Sequence, residues 1–275
     1  MQEPSSLNQQ FSDASDLRPE EKTLRAIECP YEIQPDGTIV VPGDLNLSGL
    51  KLTELPDLTD VVVKGSFWCM GNKLKDLTGA PRVVEGDVMC GTNRLTSLEG
   101  APQEVGGAFN CMGNRLTSLK GAPRNPGGAF DCSYNKLTSL EFGPLTAMEN
   151  YDCSHNQITS LEKGPRFISG DFICNDNKLA SLEHGPWRVG AALYCQGNPV
   201  TSLEHAPEQI QLLKCDAGEF HSWDEIPDTL APLRKAQRKR DWDTAFSDGA
   251  TVLRQPVEVA EPLRLKKSAR PGKTP

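Results

Sequence analysis

From about residue 43 to residue 217, the apolar positions of this chain repeat every 21 residues. Phe67, Val88, Phe109, Phe130, Tyr151, Phe172 and Leu193 fill one column. Two residues later, Cys69, Cys90, Cys111, Cys132, Cys153, Cys174 and Cys195 fill a second. Cys215 follows after 20 residues and Leu47 stands 22 residues before Cys69, giving about nine turns with the first and last imperfect. Apolar residues two apart lie on one face of a short strand. A second pair, such as Leu95 and Leu98 or Leu116 and Leu119, comes five and eight residues after each Cys and brings the chain back across the same core. One such unit cannot bury its own apolar face, so its neighbours must do so. The pattern predicts stacked strands in a parallel sheet, an α/β-type repeat solenoid that is mainly β.

Polar positions keep the same register. Asn72, Asn93, Asn114, Asn135, Asn156, Asn177 and Asn198 each follow a Cys by three residues, where the strand must bend. A buried amide there can bond backbone groups of its own turn and the next, and the Thr-Ser pair after it can do likewise with hydroxyls. Pro81, Pro102, Pro123, Pro144, Pro165, Pro186 and Pro207 close the unit. Proline fixes φ and disfavours helix, so the convex side is expected to be extended with little helix.

The unit F-x-C-x-x-N-x-L-T-S-L-x-G-A-P-x-x-V-x-G-x resembles the leucine-rich-repeat family, with Phe and Cys in the places of the two strand leucines. The resemblance covers residues 43–217 and implies a horseshoe with a parallel concave sheet. Its short period and the proline in each turn are similar to the bacterial class of these repeats, found in secreted effectors and in phage or prophage proteins. Short helical caps are expected at the ends. Residues 1–42 divide into a disordered start and an N-terminal cap, with a helix over Pro19–Glu28 and a strand at Ile39–Val41. Residues 218–248 are assigned to a C-terminal capping helix, running from about Asp228 to Phe246, and 249–275 to a basic unstructured tail.

Net charge is −8, which argues against nucleic-acid binding by the surface as a whole. Basic residues concentrate instead at Arg234–Arg240 and in the tail. That leaves two readings of the run: the solvated face of a helix, or a tether to nucleic acid or an acidic membrane. No stretch approaches the ~18 apolar residues that span a bilayer, and no Sec-type leader is expected from the first residues. The expected compartment is the cytoplasm, with export into a host cell left open.

Eight of the nine cysteines fall in the inward column, where Cys acts as a small buried hydrophobe. No C-x₂₋₄-C pair suggests zinc, and neighbouring thiols that point the same way make poor disulfide geometry. His184 and His205, one turn apart, read as exposed polar positions rather than as metal ligands. No nucleophile elbow or phosphate loop is present. No catalytic residue, metal or cofactor is therefore expected.

The outward strand positions carry the candidate chemistry. Trp68, Met70, Met89 and Met112 form an apolar cluster toward the N-terminal end. Asp131, Asp152 and Asp176, with Tyr134, His155, Ile173 and Tyr194, form an acidic and aromatic middle. Exposed Trp and Met mark interfaces, and like charges on adjacent strands favour a basic partner. The bland alternative is solvated variation with cap packing over Trp68. The expected function is a monomeric, non-catalytic module that binds a partner protein on its concave face, of bacterial-effector or phage type. Two alternatives are an effector with a ubiquitin-ligase-like C-terminal part and a scaffold with a basic tether. The segment after Cys215 is short for the first of these and carries no matching Cys motif.

Overall fold

The computed structural model describes residues 17–207, 211–227 and 229–230. The helix Pro19–Ala26 opens with proline and two acidic residues and ends with Arg25, the polarity that suits a helix dipole. Leu24 is its fully buried anchor in the core. The helix stops two residues short of the expected Glu28, which turns left-handed at φ 54°, and the Cys29 N–H closes on the Leu24 carbonyl at 2.8 Å.

Nine short strands form one parallel ladder. They are Leu45–Asn46, Phe67–Trp68, Val88–Met89, Phe109–Asn110, Phe130–Asp131, Tyr151–Asp152, Phe172–Ile173, Ala192–Tyr194 and Leu212–Cys215. They enclose eight turns of a mainly-β solenoid. The register holds the columns read from the sequence: Phe67 pairs with Val88, Val88 with Phe109, and so on through Leu193 with Leu213. Behind this front sheet the aromatic column stacks on itself. Phe109 and Phe130 lie 5.9 Å apart, Phe130 and Tyr151 5.1 Å, and Tyr151 and Phe172 6.0 Å. Each such side chain, removed from water, contributes roughly 1.5–3 kcal/mol.

The asparagine column forms a ladder of its own. Asn135 donates to the carbonyls of Cys111, Cys132 and Ser133 at 3.1 Å each and accepts the Leu116 N–H at 3.0 Å. Asn114 and Asn156 repeat the scheme. The second turn engaged is the preceding one, not the following one expected from the sequence. The serines after it accept the N–H two residues on, as Ser97 does from Glu99 at 3.0 Å.

The convex side is extended, and it is also hydrogen-bonded. Ile39–Val41, Val61–Val63, Val83–Val84 and Glu104–Val105 form a second parallel ladder, with Glu32–Ile33 antiparallel at its edge. Thr146–Ala147, Phe167–Ile168 and Arg188–Val189 form a third. The two back sheets are separated at the turn where Pro126 stands in the column of Val84, Val105, Ala147, Ile168 and Val189. Proline has no N–H to give a ladder.

After Leu212–Cys215 the chain reverses, and Gly218–Phe220 pairs antiparallel with it. A 3₁₀ turn follows at Trp223–Glu225, and Phe220 and Ile226 are buried against the core. Thr229 and Leu230 form a turn; the rest of the helix expected from about Asp228, the Arg234–Arg240 run, the tail from 249 and the start through residue 15 lie outside the described residues. Among the described residues, no helix is long and apolar enough to cross a membrane.

Candidate binding face

Positions on either side of each inward Cys project from the front sheet. Trp68 and Met89 are register partners and half-buried; Met70 is 41% exposed and Met112 half-buried. Gly91 admits Met112: a Cβ there would meet the Met112 Cγ at 3.2 Å. The apolar group expected from the sequence therefore lies on adjacent turns at one end of the front sheet. Ile173 and Tyr194, also register partners, lie half-buried farther along.

The acidic middle is built on Asp131 and Asp152, directly opposite each other. Each carboxylate first serves its own turn. Asp131 accepts the N–H and hydroxyl of Ser133 at 3.0 and 2.7 Å, and also an Asn110 amide proton at 2.9 Å. Asp152 accepts the Ser154 N–H at 2.8 Å. Burial pushes the Asp152 carboxyl above its ordinary range, and the neighbouring Asp131 adds to the shift against the opposing pull of Ser154 and His155.

Beside these carboxylates runs a column the sequence did not mark as special. The residue two after each Cys is left-handed in seven successive turns: Gly71, Thr92, Gly113, Tyr134, His155, Asp176 and Gly197. Glycine adopts that conformation without strain, and Asp and His enter it more readily than most residues, whereas a β-branched or bulky side chain such as Thr92 or Tyr134 is an outlier there. Three consecutive turns nevertheless carry Tyr134, His155 and Asp176, at φ 52–54°. Their side chains form one exposed row. The Tyr134 and His155 rings stack at 4.1 Å with 20° between planes, and His155 Nε2 lies 3.4 Å from Asp176 Oδ2. The sequence had placed His155 beside Asp152 and Asp176; the ring stack and the backbone strain emerge only in the fold.

A second surface escaped the sequence reading. Where the earlier back-sheet turns carry Arg82, Gln103 and Arg124, the later ones carry Leu145, Arg166 and Trp187. Leu145 is 53% exposed, Met148 63%, and Phe142 56% despite a left-handed backbone. Phe167 meets Trp187 edge-on at 5.5 Å, with the Arg166 guanidinium 5.6 Å over the indole. The available signal was the switch from Gly-Ala-Pro to Phe-Gly-Pro at residue 142.

His184 and His205 are both exposed, and His184 lies 3.6 Å from its neighbour Glu183. Among the described residues, no group of three or more His, Cys, Asp or Glu side chains could hold a metal.

No protein-family model matches the chain, and no curated protein matches it either. Solved structures do. The leucine-rich-repeat domain of a Shigella effector matches over 74% of this chain and 93% of that one, with a TM-score of 0.52 and 20% identity. This chain has the leucine-rich-repeat fold. Two further leucine-rich-repeat matches are weaker. YopM from Yersinia enterocolitica WA-314 covers 74% of this chain and 52% of its own at 20% identity, with a TM-score of 0.38. The leucine-rich repeat domain of APL1B covers 62% and 71% at 16% identity, also with a TM-score of 0.38. At such identities it is the leucine-rich-repeat architecture that is shared, carried here by Phe and Cys in the strand.

Proposed function

We propose that this leucine-rich-repeat array is a non-catalytic, monomeric interaction module. It binds a partner protein on the front sheet, in the manner of a bacterial effector or a phage-encoded protein. The observation that carries this reading is the row Tyr134, His155 and Asp176. Three turns in succession place an exposed side chain where glycine would sit without strain, Tyr134 at the greatest steric cost. Strain of this kind collects at functional sites. The likeness to an effector's repeat domain supports the effector assignment, and nine free cysteines fit a reducing compartment such as a cytoplasm.

The partner's chemistry follows from the surface. A Lys or Arg would neutralise Asp131 and Asp152, a flat group would lie on Tyr134 and His155, and an apolar segment would cover Trp68, Met70, Met89 and Met112. The test is affinity capture from host and bacterial lysates, with wild type beside a Trp68→Ala/Asp152→Lys variant. A protein retained by wild type and lost from a variant of unchanged melting temperature supports the reading. Equal capture by both overturns it.

The exposed group Leu145, Met148 and Phe167 favours a second reading, in which the partner protein docks on the back sheet. A Leu145→Asn/Met148→Ser variant in the same capture assay separates the two surfaces.

A further inference from the structure

One flank of the solenoid carries a charge opposite to that of the whole chain. The residue after each column asparagine is a cation in four successive turns: Lys73, Arg94, Arg115 and Lys136. The backbone holds them in one column, because their N–H groups donate to the carbonyls of Leu52, Leu74, Leu95 and Leu116 on the preceding turn at 2.7–2.9 Å. Leu52 follows Lys51 as Leu74 follows Lys73, so Lys51 begins the column one turn earlier. All five side chains are exposed. The ion pairs among the described residues use other cations, such as Lys64, Lys163 and Lys214. Neighbouring turns lie ~4.8 Å apart, so these cations stand along roughly 19 Å. Like charges on adjacent strands repel one another, and a bound anion would relieve them.

The columns on either side hold no carboxylate over these turns. Two positions on, Lys75 adds a further cation, and Thr96, Thr117 and Thr138 place exposed hydroxyls beside Arg94, Arg115 and Lys136. Two positions back lies the left-handed column, with Gly113 and then Tyr134. Tyr134 is 52% exposed. His155, on the following turn, covers one face of its ring at 4.1 Å. Gly113, on the preceding turn, puts no side chain over the other face, and a Cβ there would meet no atom closer than 3.6 Å. The cationic column therefore ends beside an aromatic ring with one face open. Gln157 follows Lys136 in the cationic column, and Asp176, 3.4 Å from His155, is the first carboxylate in the left-handed one.

We propose that this flank binds a single strand of nucleic acid. Its phosphates lie along Lys51, Lys73, Arg94, Arg115 and Lys136, where each arginine can grip two phosphate oxygens at once. One base stacks on the open face of Tyr134. A cationic track joined to an aromatic platform holds a single strand without reading its sequence. The threonine hydroxyls suit phosphate and sugar and carry no base code. A bilayer would be entered by apolar side chains, and the strip has none; an acidic peptide brings carboxylates but no base. The inference stands apart from the front-face reading, whose apolar group and carboxylates take no part in it.

The test is fluorescence anisotropy of the full chain with labelled oligothymidylate and oligouridylate of about 12 nucleotides, titrated across salt concentrations. Each phosphate contact with a single strand adds ~0.7 to the fall of log K with log salt. Arg94→Gln/Arg115→Gln should keep its melting temperature, bind at least ~10-fold more weakly and show a slope shallower by about 1.4. Tyr134→Gly should weaken binding roughly tenfold at an unchanged slope, since stacking releases no counterions. A duplex of the same length, whose bases are closed, should bind more weakly. Preference for thymidylate or uridylate tells which strand is taken, and either supports the proposal. Binding that survives Arg94→Gln/Arg115→Gln with an unchanged slope belongs to the basic residues beyond 230 and overturns it. So do full affinity in Tyr134→Gly, equal binding of the duplex, displacement by poly-glutamate or phosphatidylserine vesicles at equal charge, and no binding at low salt.

Discussion

Tyr151 stands in a column of phenylalanines, and its hydroxyl is buried with no hydrogen-bond partner among the described residues. A desolvated, unpaired hydroxyl costs about 1–3 kcal/mol. Tyr151→Phe should therefore raise stability by about 1 kcal/mol, read as a higher urea midpoint at unchanged slope. Tyr134 poses the opposite question. Tyr134→Gly relieves left-handed strain of about 1–2 kcal/mol and forfeits a ring stack worth about 0.5–1.5 kcal/mol. Stability should barely change while capture of the partner weakens. A large loss of stability would make Tyr134 a structural residue. Asp152 has a raised pKa in the folded chain, so ionising it works against folding. The sign follows: its favourable contribution is complete below the ordinary carboxylate pKa and is lost as pH rises through the raised value. Asp152→Asn keeps an acceptor for the Ser154 N–H. It should raise the melting temperature at pH 7 and leave it nearly unchanged at a pH where Asp152 is protonated.

Among the elements, the asparagine ladder and the back sheets show how differently strands and bends depend on their neighbours. Asn135 satisfies three carbonyls and one N–H in two turns. The three carbonyls keep other donors, Cys111 from Asn114, Cys132 from Asn156 and Ser133 from the Gly113 N–H, so Asn135→Ala strands the Leu116 N–H in the core, and the loss should be about 1–3 kcal/mol. A loss below that would mean water replaces the amide. These asparagines were legible as buried bend residues because the bend recurs every 21 residues with the same unmet backbone groups. The back ladders were not legible as sheets. Glu104–Val105 or Arg188–Val189 alone lacks the alternation of a strand, and pairing exists only because the preceding turn holds its backbone alongside. The Phe142, Leu145 and Met148 surface was missed for a related reason: it breaks the consensus, and a period marks what recurs.

Over the whole array, each turn contacts chiefly the turns beside it, so stability is approximately a sum of nearest-neighbour contributions. Excising one full period, residues 91–111, should leave a folded array with a lower melting temperature. Excising one residue fewer should not, because the column register fails. Circular dichroism and gel filtration of the two deletions check this. The sequence by itself determined the period, the inward Phe, Cys and Leu columns, the parallel stacking and the N-terminal helix and strand. The columns repeat, and a contact between residue i and residue i + 21 is written once per turn; the helix is marked instead by its own proline and acidic first turn. Only the tertiary structure decided two others: the two hydrogen-bonded back sheets, and the left-handed column that lifts Tyr134, His155 and Asp176 into one row. Each depends on backbone geometry or on what lies next to a residue in space, which a pattern of residue types along the chain does not state.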